Sequence, residues 1–175
     1  MKCPTCGKEM KSKIQDYEYL ESGLKNVVLK GIPVHECKHC GEFLPEISNV
    51  RQIHKWIAEY LLNKQTPLTG EEFRFLRKAM GKSAKETAAR LGVDPVTVSR
   101  WENNKEKIGA QSDRLLRMSF VLDPTEERLF AAKKLLTLAR AILLNEIQAR
   151  GRPKPEKIVI RPESHAPHGK EIHAE

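Results

Sequence analysis

The sequence predicts an α+β chain: a small N-terminal β-hairpin domain drawn around two cysteine knuckles, then an all-α helix-turn-helix domain, then an extra C-terminal helix. Three observations predict it. All four cysteines fall in two Cys-x-x-Cys-Gly repeats, Cys3-Cys6-Gly7 and Cys37-Cys40-Gly41. The only clearly strand-like sequence lies between those repeats. From residue 46 onward, apolar residues recur every three or four positions and capping signatures punctuate the chain.

The elements follow in order. IQDYEYLESGLKNVVLKGIPVHE reads as two extended runs around Ser22-Gly23. Val27, Val28 and Leu29 favour a strand, and Gly31 and Pro33 mark a break before the second knuckle. A hairpin there brings the knuckles together, so residues 1–45 are expected to form the metal-binding domain. In 46–66, Ile47, Val50, Ile53, Ile57, Tyr60 and Leu61 share one helix face, and NKQTPL reads as a short linker. In 67–122, Thr69 and Glu72 have capping-box spacing, with Leu68 and Phe73 placed as a hydrophobic staple, and Ser83 and Glu86 repeat the box. Gly92 can end that second helix, and Asp94 can cap a third with Pro95 at its first position. A fourth helix is expected over 112–121. Asp123-Pro124-Thr125-Glu126 opens a C-terminal helix over 123–150, with Leu129, Leu136, Leu143 and Ile147 near one stripe. That stripe suits contact with a second copy. Residues 151–175, with four prolines and many charges, read as a flexible tail in which His165, His168 and His173 are not a metal site.

Two Cys-x-x-Cys pairs offer four thiolates, which suits a tetrahedral soft-ligand ion, zinc being the commonest. The two-residue gap lets both sulfurs of a knuckle face one ion, and the glycine relieves crowding where the backbone turns sharply. Four soft ligands leave no open position, so Cys3, Cys6, Cys37 and Cys40 describe a structural Zn2+ site, one ion per chain. A rubredoxin-type iron and a redox-switching disulfide pair stay open as alternatives. His35 and His39, beside the second knuckle, read as surface residues.

SAKETAARLGVDPVTVSRWE carries the helix-turn-helix pattern. Ala88 is small where two helices cross, Gly92 serves the turn, and Val98 and Trp101 are apolar on the buried side of the second helix. That helix then presents Pro95 at its start, Val96, Thr97 and Arg100 on its open face and Ser99 at the edge. Arg100 can pair bidentately with guanine O6 and N7, and Val96 or Thr97 can meet a thymine methyl. Asn103, Lys105 and Lys107 follow as candidates for phosphate contacts. The net charge of +8 agrees with a polyanionic partner, although the basic excess is spread along the chain and locates no site. No apolar run is long enough for a membrane helix and no signal peptide precedes the first knuckle, so a cytoplasmic protein is expected. No Ser/His/Asp motif, phosphate loop or His-Glu-x-x-His pattern points to an enzyme.

LGVDPVTVSRWENN resembles the Xre/Cro type of helix-turn-helix, its Trp-Glu-Asn stretch included. MKCPTCG and CKHCGE followed by that domain resemble the MqsA/YgiT-type zinc-finger plus helix-turn-helix family, over about residues 1–121. The resemblance implies a structural zinc domain that binds a small toxin, and a C-terminal domain that dimerises and binds double-stranded operator DNA. It places the zinc ligands at Cys3, Cys6, Cys37 and Cys40 and a base-reading arginine at Arg100. Where some members hold a base-contacting asparagine, this chain has Val96, so the operator sequence does not carry over. The expected function is a dimeric transcriptional repressor acting as the antitoxin of a toxin-antitoxin pair; the alternative is a free-standing regulator with no toxin partner.

Overall fold

The computed structural model describes residues 1–123, 132–144, 155–162 and 173–174. The architecture is α+β, as expected, and the chain forms two compact units: Met1–Ile53 with Glu156–Glu175, and His54–Pro155.

In the first unit, β1 (Lys11–Glu18) and β2 (Val27–Glu36) form the antiparallel hairpin between the knuckles. A 3-10 turn at Leu20–Ser22 closes it, and the Gly23 N–H donates to Leu20 O. The register slips between Gln15 and Tyr17. That bulge keeps Leu29 and Ile32 on one face, so Val27, Leu29, Ile32 and Val34 are all buried together with Tyr19 and Leu24. β3 (Phe43–Pro45) pairs with the far end of β2, immediately past the second knuckle.

The sheet does not end there. β4 (Ile158–Ile160) lies parallel to β2, and β5 (His173–Ala174) pairs antiparallel with β4. The expectation of a flexible tail over 151–175 therefore misses a buried strand. Its three β-branched residues are too short a run to outweigh the charged, proline-rich sequence around them. They become a strand only because β2, about 130 positions earlier, offers an edge.

The second unit is helical. α1 (Val50–Asn63) begins in the first unit and continues into the second, followed by α2 (Gly70–Ala79), α3 (Ala84–Leu91), α4 (Pro95–Glu102), α5 (Ala110–Val121) and α6 (Ala132–Leu144). Both capping boxes form: the Thr69 hydroxyl accepts from the Glu72 N–H and the Ser83 hydroxyl from the Glu86 N–H, while each glutamate accepts the N-cap N–H in return. Gly92 takes the left-handed conformation at φ +66°, and the Asp94 carboxylate accepts the Val96 N–H at 2.7 Å. Phe73, Leu76, Ala88, Val98, Trp101, Leu116 and Phe120 are buried, and the Phe73 and Trp101 rings meet edge-to-face at 5.7 Å.

The stretch read as a linker is held as firmly as a helix. The buried Arg117 guanidinium donates to Leu61 O at 2.8 Å, Lys64 O at 2.6 Å and Thr66 O at 2.9 Å, and pairs with Asp113 at 2.6 Å. Asp113 in turn accepts the Leu68 N–H. Lys64 makes a fully buried ion pair with Glu72 at 2.8 Å. The guanidinium thus answers carbonyls left open at the end of α1 and just past it. On α6 Leu138 and Ile142 are buried, whereas Leu136 and Leu143 of the expected stripe are exposed. Leu129 and Ile147, with the rest of 124–131 and 145–150 of the expected C-terminal helix, lie outside the described residues.

Candidate metal centre and nucleic-acid interface

The two knuckles are built alike. In each, the first cysteine donates its N–H five residues ahead, Cys3 to Lys8 O and Cys37 to Glu42 O, both at 2.8 Å. Each glycine returns its N–H to that cysteine's carbonyl, Gly7 to Cys3 and Gly41 to Cys37, both at 2.9 Å. The glycines stand at φ +73° and +78°, a backbone region costly for any residue with a Cβ. The hairpin carries the knuckles together, and the Thr5 hydroxyl donates across to Glu42 Oε2 at 2.8 Å.

The four Sγ atoms all lie within 4.8 Å of one another. Two pairs cross between knuckles, Cys3 with Cys40 and Cys6 with Cys37, each at 3.5 Å. A disulfide would require about 2.05 Å. A tetrahedron with metal–sulfur bonds of about 2.3 Å has edges of about 3.8 Å, within the span seen here. The donor set therefore fits a metal ion. Met10, with Leu44 partly buried beside it, packs against Cys3 and Cys37 and shields one side of the cluster.

The thiols are already polarised. The backbone N–H groups of Cys40 and His39 pull the Cys37 thiol down to about 6. At Cys40 the Glu42 N–H lowers the value, but burial and the three neighbouring sulfurs outweigh it and push the thiol up to about 12. Four sulfurs this close cannot all ionise without a cation among them, and a divalent ion removes that conflict. His35 is directed elsewhere, its Nε2 3.2 Å from Glu46 Oε2, and neither His35 nor His39 belongs to the cluster among the described residues.

In the second unit, α3 packs on α4, with Ala88 buried. α4 turns Val98, Trp101 and Glu102 inward. Pro95, Val96, Ser99, Arg100, Asn103 and Lys105 are exposed, and Thr97 is half-buried. Ser99 and Thr97 thus exchange the places expected for them. Thr97 lies one turn before the buried Trp101, and that neighbour draws it toward the core side. Among the described residues Arg100 pairs with Glu106, at 3.8 Å between exposed groups, a pairing weak enough to release the guanidinium. Asn103 is more occupied than expected: its amide donates to Ser99 O at 2.8 Å and its carbonyl accepts from Arg74 at 3.1 Å.

Sequence reasoning missed the frame behind this face. Glu102 accepts from Arg77 Nε at 2.5 Å and from Arg74 Nε at 3.1 Å, tying the end of α4 to α2. Asn104, left-handed at φ +53°, accepts the Gly70 N–H at 2.9 Å and caps α2 from outside its own helix. A Cβ at Gly70 would lie 2.2 Å from Trp101 O, so no other residue fits there. The signal was present as two arginines one turn apart on α2 and a glutamate ending α4, but nothing local says that they meet.

A family model described as the antitoxin component of bacterial toxin-antitoxin system, MqsA, matches residues 1–127. No curated protein matches the chain.

Proposed function

The chain belongs to the MqsA antitoxin family, and from that premise we propose that it is a sequence-specific DNA-binding repressor whose zinc-bearing first unit docks a small toxin. The observation that carries the DNA reading is the division of α4 into a buried side, Val98, Trp101 and Glu102, and an exposed side, Val96, Ser99 and Arg100. A short helix with one exposed side and its C-terminal end clamped to α2 suits insertion into a major groove. Arg100 is the candidate reader of a guanine, Val96 of a thymine methyl with Pro95 and Thr97 beside it, and Lys105 a phosphate contact; Asn103 becomes one if it leaves Ser99 O. Two copies acting together would read a near-palindrome with half-sites about one helical turn, or a multiple of it, apart.

Cys3, Cys6, Cys37 and Cys40 would hold the zinc. When bound, the ion supplies a cross-link between the two ends of the hairpin and the charge that keeps four thiolates together. The set is closed, so the reading is of a binding protein rather than an enzyme. Among the described residues, no helix is long and apolar enough to cross a membrane.

Titration of operator and random DNA at several salt concentrations tests the interface. Arg100→Ala is expected to cost about 1–3 kcal/mol on the operator and to relax preference at one base position. Lys105→Ala should weaken both DNAs and reduce the salt slope by about 0.9. Equal losses on both DNAs for Arg100→Ala would defeat the reading role. Residues 128–175 lie beyond the family match and favour a second reading, a free-standing regulator with no toxin. Co-purification of a small partner that chelation releases would decide against it.

A further inference from the structure

β4 stands outside the family match, yet it is among the most buried segments of the first unit: Ile158 is 0% exposed, Val159 7% and Ile160 2%. Its pairing with β2 is parallel and three residues long: Val27 with Ile158, Val28 with Val159, and Leu29 with Ile160. One residue guards the start of this ladder. Asn26 accepts the Ile158 N–H on its carbonyl at 2.7 Å, and its side-chain amide donates to Glu156 O. The arriving chain is therefore held at two points, through the backbone and the side chain of the same asparagine. The ladder hydrogen bonds, β-branched side chains buried on both faces of the strand and a polar clamp at one end are the ordinary components of strand addition to a sheet edge.

The rest of the fold does not explain why the segment is there. Residues 54–155 form the other unit, so the strand returns after an excursion of about a hundred positions. Closing so long a loop is entropically unfavourable, and the contacts at the edge itself must offset it. We propose that the Asn26–Leu29 edge of β2 is a strand-binding site whose ligand is the chain's own segment 155–162. That segment recognises the edge by itself, and it fills an edge that a foreign strand would otherwise take. A partner adding a strand beside Val27–Leu29 must displace it.

The test uses the full-length, metal-loaded chain. Ile158→Asp with Ile160→Asp places two carboxylates where two buried side chains stood and should release the segment. A synthetic peptide of residues 155–162, added at millimolar concentration, should then shift the amide resonances of Val27, Val28 and Leu29 in the double variant but not in the unaltered chain. A scrambled peptide should do nothing in either. Shifts of equal size in both chains, or in neither, overturn the proposal. If the double variant does not fold, the unaltered chain decides through amide exchange. Ile158 should be strongly protected, and Asn26→Ala, which deletes only the side-chain half of the clamp, should speed its exchange several-fold to about tenfold. An unchanged Ile158 rate overturns the proposal. Protection of Ile158 that rises with protein concentration across a hundredfold range also overturns it, because the strand would then come from a second copy.

Discussion

Gly70→Ala is expected to destabilise the helical unit, against the usual direction of such a change. At a compatible site, glycine to alanine stabilises by about 0.4–1 kcal/mol, because the unfolded chain loses freedom. Gly70 opens α2, where alanine suits the backbone, so the helix itself would welcome it. The environment does not. The added Cβ would lie 2.2 Å from Trp101 O, 2.9 Å from Glu102 C and 2.9 Å from Asn104 Oδ1. Two of these are backbone atoms that cannot rotate away. Restoring an ordinary contact of 3.4 Å requires the start of α2 and the end of α4 to part by more than an ångström. That movement strains the Gly70–Asn104 bond at 2.9 Å and the bond from Arg74 to Glu102 at 3.1 Å. Overpacking costs about 1–3 kcal/mol, and a lost bond to the cap adds about 1 kcal/mol. Less the propensity gain of at most about 1 kcal/mol, the net loss is about 1–3 kcal/mol. At about 4–8 °C per kcal/mol for a domain of this size, the melting temperature should fall by roughly 5–20 °C. Tryptophan fluorescence is a selective probe, since Trp56 and Trp101 are the only two tryptophans and both belong to this unit. A melting temperature that holds or rises would refute the close approach of α2 to α4.

Arg117→Met leaves the Asp113 carboxylate buried beside three carbonyls that have lost their donor, and should cost about 3–5 kcal/mol in urea unfolding, with Arg117→Lys recovering little because an ammonium cannot span the fork; a loss below about 1 kcal/mol would count against the clamp. Burial holds the His54 imidazole below its usual range, so the unfolded chain binds that proton more readily. Its contribution to stability is therefore full above pH 6.5 and fades as the pH falls through the lower folded value, and His54→Gln should flatten part of the stability slope between pH 7 and 5. At the cysteine cluster, a metal needs thiolates, and Cys40 is held protonated up to about 12 while Cys37 ionises near 6. Binding near neutral pH should release protons and weaken as the pH falls, which calorimetry in two buffers of different ionisation enthalpy will show; no buffer dependence would contradict the coupled set.

What was legible in the sequence was its local grammar. The boxes at Thr69–Glu72 and Ser83–Glu86, the cap at Asp94 and the turn at Gly92 each depend on residues two to four apart, and each formed as read. The cysteine cluster was legible for another reason: two identical knuckles have little use apart, and the β-favouring run between them supplies the fold that joins them. The failures are long-range. Ile158–Ile160 needs β2, Arg117 needs the carbonyls of 61–66, and Gly70 needs Asn104, and no periodicity carries such pairings. Asp113 and Arg117, four apart on a helix, look like an exposed i,i+4 pair until the unsatisfied end of α1 is brought against them. Polar sequence at 63–66 suggested a free linker because composition cannot distinguish solvated carbonyls from carbonyls answered by a buried guanidinium.

The stretch Trp101-Glu102-Asn103-Asn104 sharpens what a family signature means here. It carries the resemblance to a helix-turn-helix, yet its residues meet partners on α2, Asn103 included through Arg74. Trp101 packs on Phe73, Glu102 receives Arg74 and Arg77, and Asn104 caps α2. Such positions tolerate few alternatives, because each meets partners on another helix with fixed geometry. Val96, Ser99 and Arg100 are exposed, and among the described residues Arg100 pairs only with the exposed Glu106. Changes at exposed positions usually stay within about 0.5 kcal/mol, and such freedom is what a reading surface would need if related chains are to bind different operators. The residues that identify the fold and those that would choose the DNA thus alternate along one eight-residue helix, which is why the motif is informative about architecture and silent about the operator.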